Sequence, residues 1–127
     1  MRQRVSSGTH WEDRVGYSRA VRAGNEVHVS GTTATDDDGN VVAPGDPYEQ
    51  TKHAIGLVTE ALEAASASRS DVVRTRLFVV DVDDWEAVGR AHEEAFGEIR
   101  PATTMVEVSR LIDDDLVVEV EAVAICE

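Results

Sequence analysis

The chain has 127 residues, 42% of them hydrophobic and 29% charged, and its formal net charge is −13. This length and composition predict one soluble globular domain that spans residues 1–127. The acidic excess disfavours binding to nucleic acid and to anionic membranes, because both carry negative charge. No apolar run approaches the roughly 20 residues of a membrane span. The single cysteine, Cys126, excludes an internal disulfide, so we expect a cytoplasmic protein.

The first half of the chain predicts two strands and a long helix. Residues 1–14 are polar and without periodicity, which indicates a flexible arm or an edge segment. Residues 17–23 and 26–31 are expected to form strands that a Gly-Asn turn connects. Asp46 is a suitable helix N-cap, and the apolar stripe that follows it predicts a helix that fades near Ala67.

The second half predicts a strand at residues 71–80, a second helix, and strands at residues 103–109 and 116–125. Asp83 is the expected cap of the second helix, and Trp85 at its start is expected to pack in the core. The element order is strand, strand, helix, strand, helix, strand, strand. It predicts an α+β fold with two helices packed on one face of a mixed sheet.

The last strand indicates more than one buried surface. All even-numbered residues from Leu116 to Ala124 are apolar, so they are expected to face the helices. The odd-numbered positions include the β-branched Val117, Val123 and Ile125, which a solvated face would not normally carry. A domain of this size has no further layer to cover that face. Another copy of the chain is the simplest cover.

Two carboxylates interrupt this apolar strand. Glu119 and Glu121 share a face and are expected to lie about 7 Å apart. Near a subunit boundary a carboxylate loses water and its pKa rises, which suits general acid or base chemistry. The alternatives for either residue are an interface salt bridge to an arginine, or exposure at the rim of the sheet.

The predicted strand at residues 103–109 carries further candidate site residues. Thr103 and Met105 share one face, and Thr104, Val106 and Val108 share the other. The three residues Thr104, Val106 and Val108 have the pattern of core-facing positions. Thr103 and Met105 are therefore expected to point to the side of Glu119, if the two strands are neighbours.

Tyr17 and Arg19 also share a face of their predicted strand. A tyrosine can offer a hydroxyl and a flat apolar wall, and an arginine can grip a carboxylate through two parallel hydrogen bonds. Core packing of Tyr17 and a surface ion pair of Arg19 are the alternatives. The four histidines are scattered without metal-ligand spacing, so no metal site is expected.

Four short motifs in the same order resemble the reactive intermediate deaminase (Rid, or YjgF-like) family. They are Tyr17-Ser18-Arg19-Ala20-Val21, Val29-Ser30-Gly31, Pro101-Ala102 and Glu119-Val120-Glu121-Ala122-Val123-Ala124. The resemblance implies a chorismate-mutase-like fold and a homotrimer whose sheets line a central barrel. It also implies three ligand clefts between subunits, with a small-molecule metabolite as the partner.

The activity that this resemblance implies is the hydrolysis of enamines and imines to 2-keto acids and ammonia, without a cofactor. By position, Tyr17 would wall the cleft and the Gly31 carbonyl would accept from the substrate nitrogen. The Met105 amide would donate to the substrate carboxylate. Glu119 would hold or activate the attacking water.

The chain departs from the deaminating branch of the family directly after Pro101-Ala102. That branch has an arginine there, which clamps the substrate carboxylate, whereas this chain has Thr103. A neutral hydroxyl does not replace a charged fork. The chain thus resembles an arginine-lacking branch. Either Arg19 takes over the clamp, or the cleft serves a different, uncharged ligand and imine hydrolysis is weak or absent.

Two functions follow as hypotheses. The first is a cofactor-free hydrolase of imine-like metabolites, and the second is a trimer that binds a metabolite without turnover. Ribonuclease activity, which the resemblance also raises, is disfavoured by the net charge of −13 and the absence of a basic stripe.

Overall fold

Six strands form a single sheet in the fold, which we describe from a computed structural model that covers residues 2–127. The strands are β1 (Arg2–Val5), β2 (Ala20–Ala23), β3 (Glu26–Thr33), β4 (Val72–Val79), β5 (Ala102–Glu107) and β6 (Val118–Ile125). The helices are α1 (His10–Val15), α2 (Pro47–Ala64) and α3 (Trp85–Phe96). The strand order across the sheet is β1-β2-β3-β6-β4-β5.

The sheet is mixed, as expected. β4 and β5 pair in parallel, with α3 as the crossover between them, while the other neighbouring pairs are antiparallel. The prediction of an α+β fold with two helices on one face of the sheet is confirmed for α2 and α3. Buried residues of these two helices, including Val58, Leu62 and Phe96, belong to one core with the apolar side chains of the sheet.

The last strand follows the predicted alternation. Leu116 and the even-numbered residues of β6 are each at most 2% exposed, and they face α2 and α3. The opposite side of the sheet is here called the open face. Among the apolar side chains on it are Phe78, Val106, Val123 and Ile125, which are partly exposed in the single chain.

The boundaries of the helices differ from the predictions in ways that local geometry explains. Asp46 caps α2 by accepting from the Glu49 amide at 3.1 Å, but α2 ends at Ala64 rather than near residue 67. The prediction that Asp83 caps α3 is wrong, because Asp83 lies inside a short 3-10 turn that precedes Trp85. Trp85 is 57% exposed, so it is not a core residue either.

The N-terminal segment is an edge of the sheet. β1 pairs with β2, from Arg2 opposite Ala23 to Val5 opposite Ala20, which favours the edge segment over the flexible arm for these residues. Helix α1 was not predicted, because its six residues bury a single side chain, that of Glu12, and show no apolar stripe. Met1 lies outside the described residues.

Within residues 2–127, no helix has both the length and the apolar character that crossing a membrane requires.

Candidate functional site

Glu119 and Gly31 lie against each other across the pair of β3 and β6. The ladder between these strands is interrupted between Val29 and Thr32, and Gly31 occupies the irregular segment. A Cβ atom at Gly31 would lie 2.8 Å from Cδ of Glu119 and 3.0 Å from its Oε1. The glycine therefore leaves the space that the Glu119 carboxyl group occupies, since real Cβ atoms do not approach so closely.

Glu119 is half-buried on the open face, and its environment changes its acidity. Burial, the largest effect, raises the pKa of the Glu119 carboxyl above its ordinary value, because water no longer stabilises the charged form. The nearby Arg19 guanidinium opposes this rise, and the Glu121 carboxylate adds to it. A raised pKa is the property that a carboxyl group needs to exchange protons near neutral pH.

Glu121 has a different neighbour. Its Oε1 accepts from Nη1 of Arg76 at 2.9 Å, and both side chains are partly exposed. This is the salt bridge to an arginine that was one alternative for either carboxylate. Of the two, Glu119 is therefore the one without an arginine partner within salt-bridge distance among the described residues.

Arg19 spans the region beside Glu119, and its guanidinium is already engaged. Nη1 donates to the Gly31 carbonyl at 2.8 Å and to Thr32 Oγ1 at 2.9 Å, and Nη2 donates to the Tyr17 hydroxyl at 3.3 Å. The guanidinium carbon lies 5.6 Å from the Tyr17 ring centroid. The structure thus brings together Tyr17, Arg19, Gly31 and Glu119, four of the six predicted site residues.

Glu12, which is not among the predicted site residues, is part of this network. It is 4% exposed, and its Oε2 lies 4.0 Å from Nε of Arg19. Burial raises its pKa, but hydrogen bonds from Ser7, Ser6 and Thr9 outweigh this effect, so the pKa of Glu12 is lowered and the side chain is ionised at neutral pH. The spacing Thr9-x-x-Glu12 is typical of a helix N-terminus and was the available signal.

Thr103 and Met105 lie elsewhere in the same chain, and the prediction about their face is wrong. β5 neighbours β4, not β6, with Thr103 opposite Thr75 and Met105 opposite Leu77. Thr103 Oγ1 lies 2.8 Å from Oγ1 of the buried Thr75, and Met105 packs on the core. Both side chains therefore face the helices. Thr104 and Val106, expected in the core, are exposed on the open face.

A shallow cleft of about 420 Å³ lies beside Thr103 on the helix side of the sheet. It is lined by residues from the end of α3 and the start of β5, namely His92, Glu93, Phe96, Gly97, Arg100, Pro101 and Thr103. Thr75 Oγ1, which contacts Thr103, also lies 2.8 Å from Nε2 of His92. Burial lowers the pKa of His92, so its ring is neutral at neutral pH. This cleft contains none of the residues around Glu119.

Comparison with known proteins places the chain in a family. The sequence profile described as Endoribonuclease L-PSP matches residues 9–126. A protein of Streptomyces coelicolor, named only as uncharacterized, is 45% identical over 122 residues, which are 96% of this chain and 90% of that protein. The 3-aminoacrylate deaminase RutC of Acinetobacter baylyi is 35% identical over 108 residues, 85% of each chain.

Solved structures agree with this assignment. A Mycobacterium tuberculosis protein, described as a member of the highly conserved YjgF/YER057c/UK114 family, superposes with a TM-score of 0.89. It is 48% identical, and the match covers 98% of this chain and 99% of that chain. The profile match, these sequence identities and the shared fold lead to one conclusion: the chain belongs to the YjgF/Rid family.

Proposed function

We propose that this protein is a cofactor-free hydrolase of small imines or enamines that carry no carboxylate, and that Glu119 activates the attacking water. The observation that carries the proposal is the Glu119 carboxyl group, which is half-buried, lies against Gly31 and has a raised pKa. A carboxylate in this state can take a proton from water as the water attacks a C=N carbon, and can then return it to the leaving nitrogen.

The contacts of Arg19 support an uncharged ligand. Its terminal nitrogens donate to Gly31, Thr32 and Tyr17, so the planar fork is not free for bidentate binding of a substrate carboxylate. The adjacent Glu12 carboxylate offsets its charge. This arrangement disfavours the hypothesis that Arg19 replaces the missing arginine clamp.

Thr103 supports the same conclusion, since its hydroxyl is neutral and already contacts Thr75 and the Pro101 carbonyl. The related RutC is named for a substrate that carries a carboxylate, 3-aminoacrylate. We therefore expect this chain to differ from that relative in the charge of its ligand, while keeping the reaction at the C=N bond.

A cleft shared by two copies of the chain would reconcile the two groups of predicted site residues. In one chain, β5 and β6 are separated by β4, so they lie about 10 Å apart, and Thr103 and Met105 face away from Glu119. The outer edge of β5 in one subunit would supply the Met105 amide to a cleft whose Tyr17, Gly31 and Glu119 come from the next subunit. The homotrimer is part of this proposal.

The test compares two imines that differ in one carboxylate. A flavin amine oxidase releases an imine without a carboxylate, and a flavin amino-acid oxidase releases a 2-imino acid. Semicarbazide reacts faster with either imine than with the carbonyl product of its hydrolysis, so a hydrolase lowers the initial rate of semicarbazone formation. We expect the protein to lower this rate more for the imine without a carboxylate. The effect should be lost in Glu119→Gln and kept in the matched variant Glu121→Gln.

The other outcomes are equally informative. No effect on either imine would contradict the hydrolase and favour the alternative, a trimer that binds a metabolite without turnover. A larger effect on the 2-imino acid would contradict the uncharged ligand. An effect that survives in Glu119→Gln would remove Glu119 from the chemistry.

A further inference from the structure

A buried polar network leads from helix α1 to the candidate site, and Glu12 is its origin. We propose that Glu12 is a positioning residue, which holds the Arg19 guanidinium against Tyr17 and Gly31 and balances its charge beside Glu119. This role of Glu12 rests on the proposed function, because it takes Glu119 as the carboxylate that activates the water. No residue of α1 would contact the substrate in this scheme.

Several hydrogen bonds hold the Glu12 carboxylate in place. Its two carboxylate oxygens accept from the Ser7 amide at 3.2 Å, and Oε2 also accepts from the Ser7 hydroxyl and from Thr9 Oγ1 at 3.1 Å. A buried carboxylate needs such donors to remain ionised. Its backbone carbonyl accepts from the amides of Gly16 and Tyr17 at 2.9 and 3.0 Å. One residue thus anchors Tyr17 through its backbone and Arg19 through its side chain.

The Nε atom of Arg19 has the Glu12 carboxylate as its neighbour. Nε is buried and makes no hydrogen bond within residues 2–127, and the Glu12 carboxylate at 4.0 Å is the anionic group beside it. The terminal nitrogens instead donate to Gly31, Thr32 and Tyr17. The guanidinium therefore has the Glu12 carboxylate beside Nε and the candidate site at its terminal nitrogens.

A small number of charges act on Glu119. Arg19 and Glu121 are the charged groups that affect it directly, and Arg76 partly neutralises Glu121. Without Glu12, the positive charge of Arg19 would be less offset and would favour the ionised form of Glu119 more strongly. Glu12 therefore helps to keep Glu119 able to carry a proton.

The test measures the pKa of Glu119 directly, by carbon-detected NMR titration of the side-chain carboxyl in the full-length protein. The resonance is assigned by its loss in Glu119→Gln. In Glu12→Gln we expect this pKa to fall by about half a unit or more, since the charge of Arg19 is no longer offset. In Arg19→Gln it should rise. In the double variant it should return towards the wild-type value.

Asp13→Asn is the matched control, because it removes the same charge from an exposed position of the same helix and should leave the pKa of Glu119 unchanged. An unchanged pKa in Glu12→Gln, with only a lowered melting temperature, would assign Glu12 a structural role and overturn the proposal. A raised pKa in that variant would also overturn it.

Two features keep the experiment decisive. If Glu12→Gln does not fold, the Arg19→Gln variant still tests the proposal. An unchanged pKa of Glu119 in that variant would overturn it, because Arg19 would then have no effect on Glu119. The titration needs no substrate, so its result is independent of the turnover assay. Failure of the role proposed for Glu12 can therefore be distinguished from failure of the proposed function.

Discussion

Glu119 and Glu121 are chemically identical and lie two residues apart on one face of β6, but their surroundings separate them. Glu121 has Arg76 as a partner, whereas Glu119 lies over Gly31 and has lost part of its water shell. The difference arises from the neighbouring strands: β4 brings an arginine to one carboxylate, and β3 brings a glycine to the other.

The raised pKa of Glu119 has a consequence for stability. A carboxyl group that binds its proton more tightly in the folded state destabilises the fold as pH rises from its ordinary value, near 4.5, through the raised value. Above the raised pKa, this loss of folding stability is complete. We therefore expect Glu119→Gln to be more stable than the wild type at pH 7.5, and the advantage to shrink as pH falls towards 4.5.

Urea denaturation at several pH values and one protein concentration measures this difference. Comparing the variant with the wild type cancels the opposite contribution of Glu12, whose lowered pKa adds stability above its unfolded value. Glu121→Gln serves as the control. The quantity compared is the free energy of unfolding of Glu119→Gln minus that of the wild type. A smaller value at pH 7.5 than at pH 4.5 would contradict the expectation.

At the scale of elements, β5 shows how strand pairing overrides sequence pattern. Val106 has the pattern of a core residue, but the open face of this sheet also carries apolar side chains, so alternation alone does not tell the two sides apart. The parallel register with β4 decides the question, because it sets Thr103 beside Thr75 on the helix side.

Helix α3 offers a direct test of helix propensity. Gly89 lies in its interior, and a Cβ there would meet nothing within 4 Å. Gly89→Ala should therefore stabilise the protein by about 0.5–1 kcal/mol, because alanine loses less backbone freedom on folding. The matched change Gly97→Ala should destabilise it, since a Cβ there would lie 2.7 Å from the Glu93 carbonyl oxygen. Thermal unfolding of both variants measures the effect, and equal melting temperatures would contradict it.

At the scale of the whole molecule, the open face is the feature that a single chain leaves unexplained. Its apolar residues flank the two carboxylates of β6. We expect the protein to assemble through this face as a homotrimer, with a mass in solution of about three times the 13.8 kDa of one chain. Light scattering coupled to size-exclusion chromatography measures this mass.

A charge on the open face should disrupt the assembly. Val123→Asp is expected to lower the measured mass towards that of one chain, because the aspartate would be buried without a partner in the interface. Val82→Asp makes the same substitution at an exposed residue of the 3-10 turn before α3 and should leave the mass unchanged. A wild-type protein with the mass of one chain would refute the trimer and, with it, the shared cleft.

Much of the fold could be predicted from local sequence, because caps and periodicity are local properties. Asp46 marks the start of α2, and the even-numbered residues of β6 are buried as predicted. The family could also be recognised from four short motifs, and the profile match confirms it. Helix α1 was missed, since six residues around the buried Glu12 carry no apolar stripe.

The sequence by itself determined the family, the order of the predicted strands and helices, and the residues of β6 that face the core. The tertiary structure decided which carboxylate is paired, which way Thr103 points, and that the fork of Arg19 is occupied. The physical reason is distance along the chain. Burial periodicity is encoded within a few neighbouring residues, whereas a pKa or a contact depends on side chains that only strand pairing brings together.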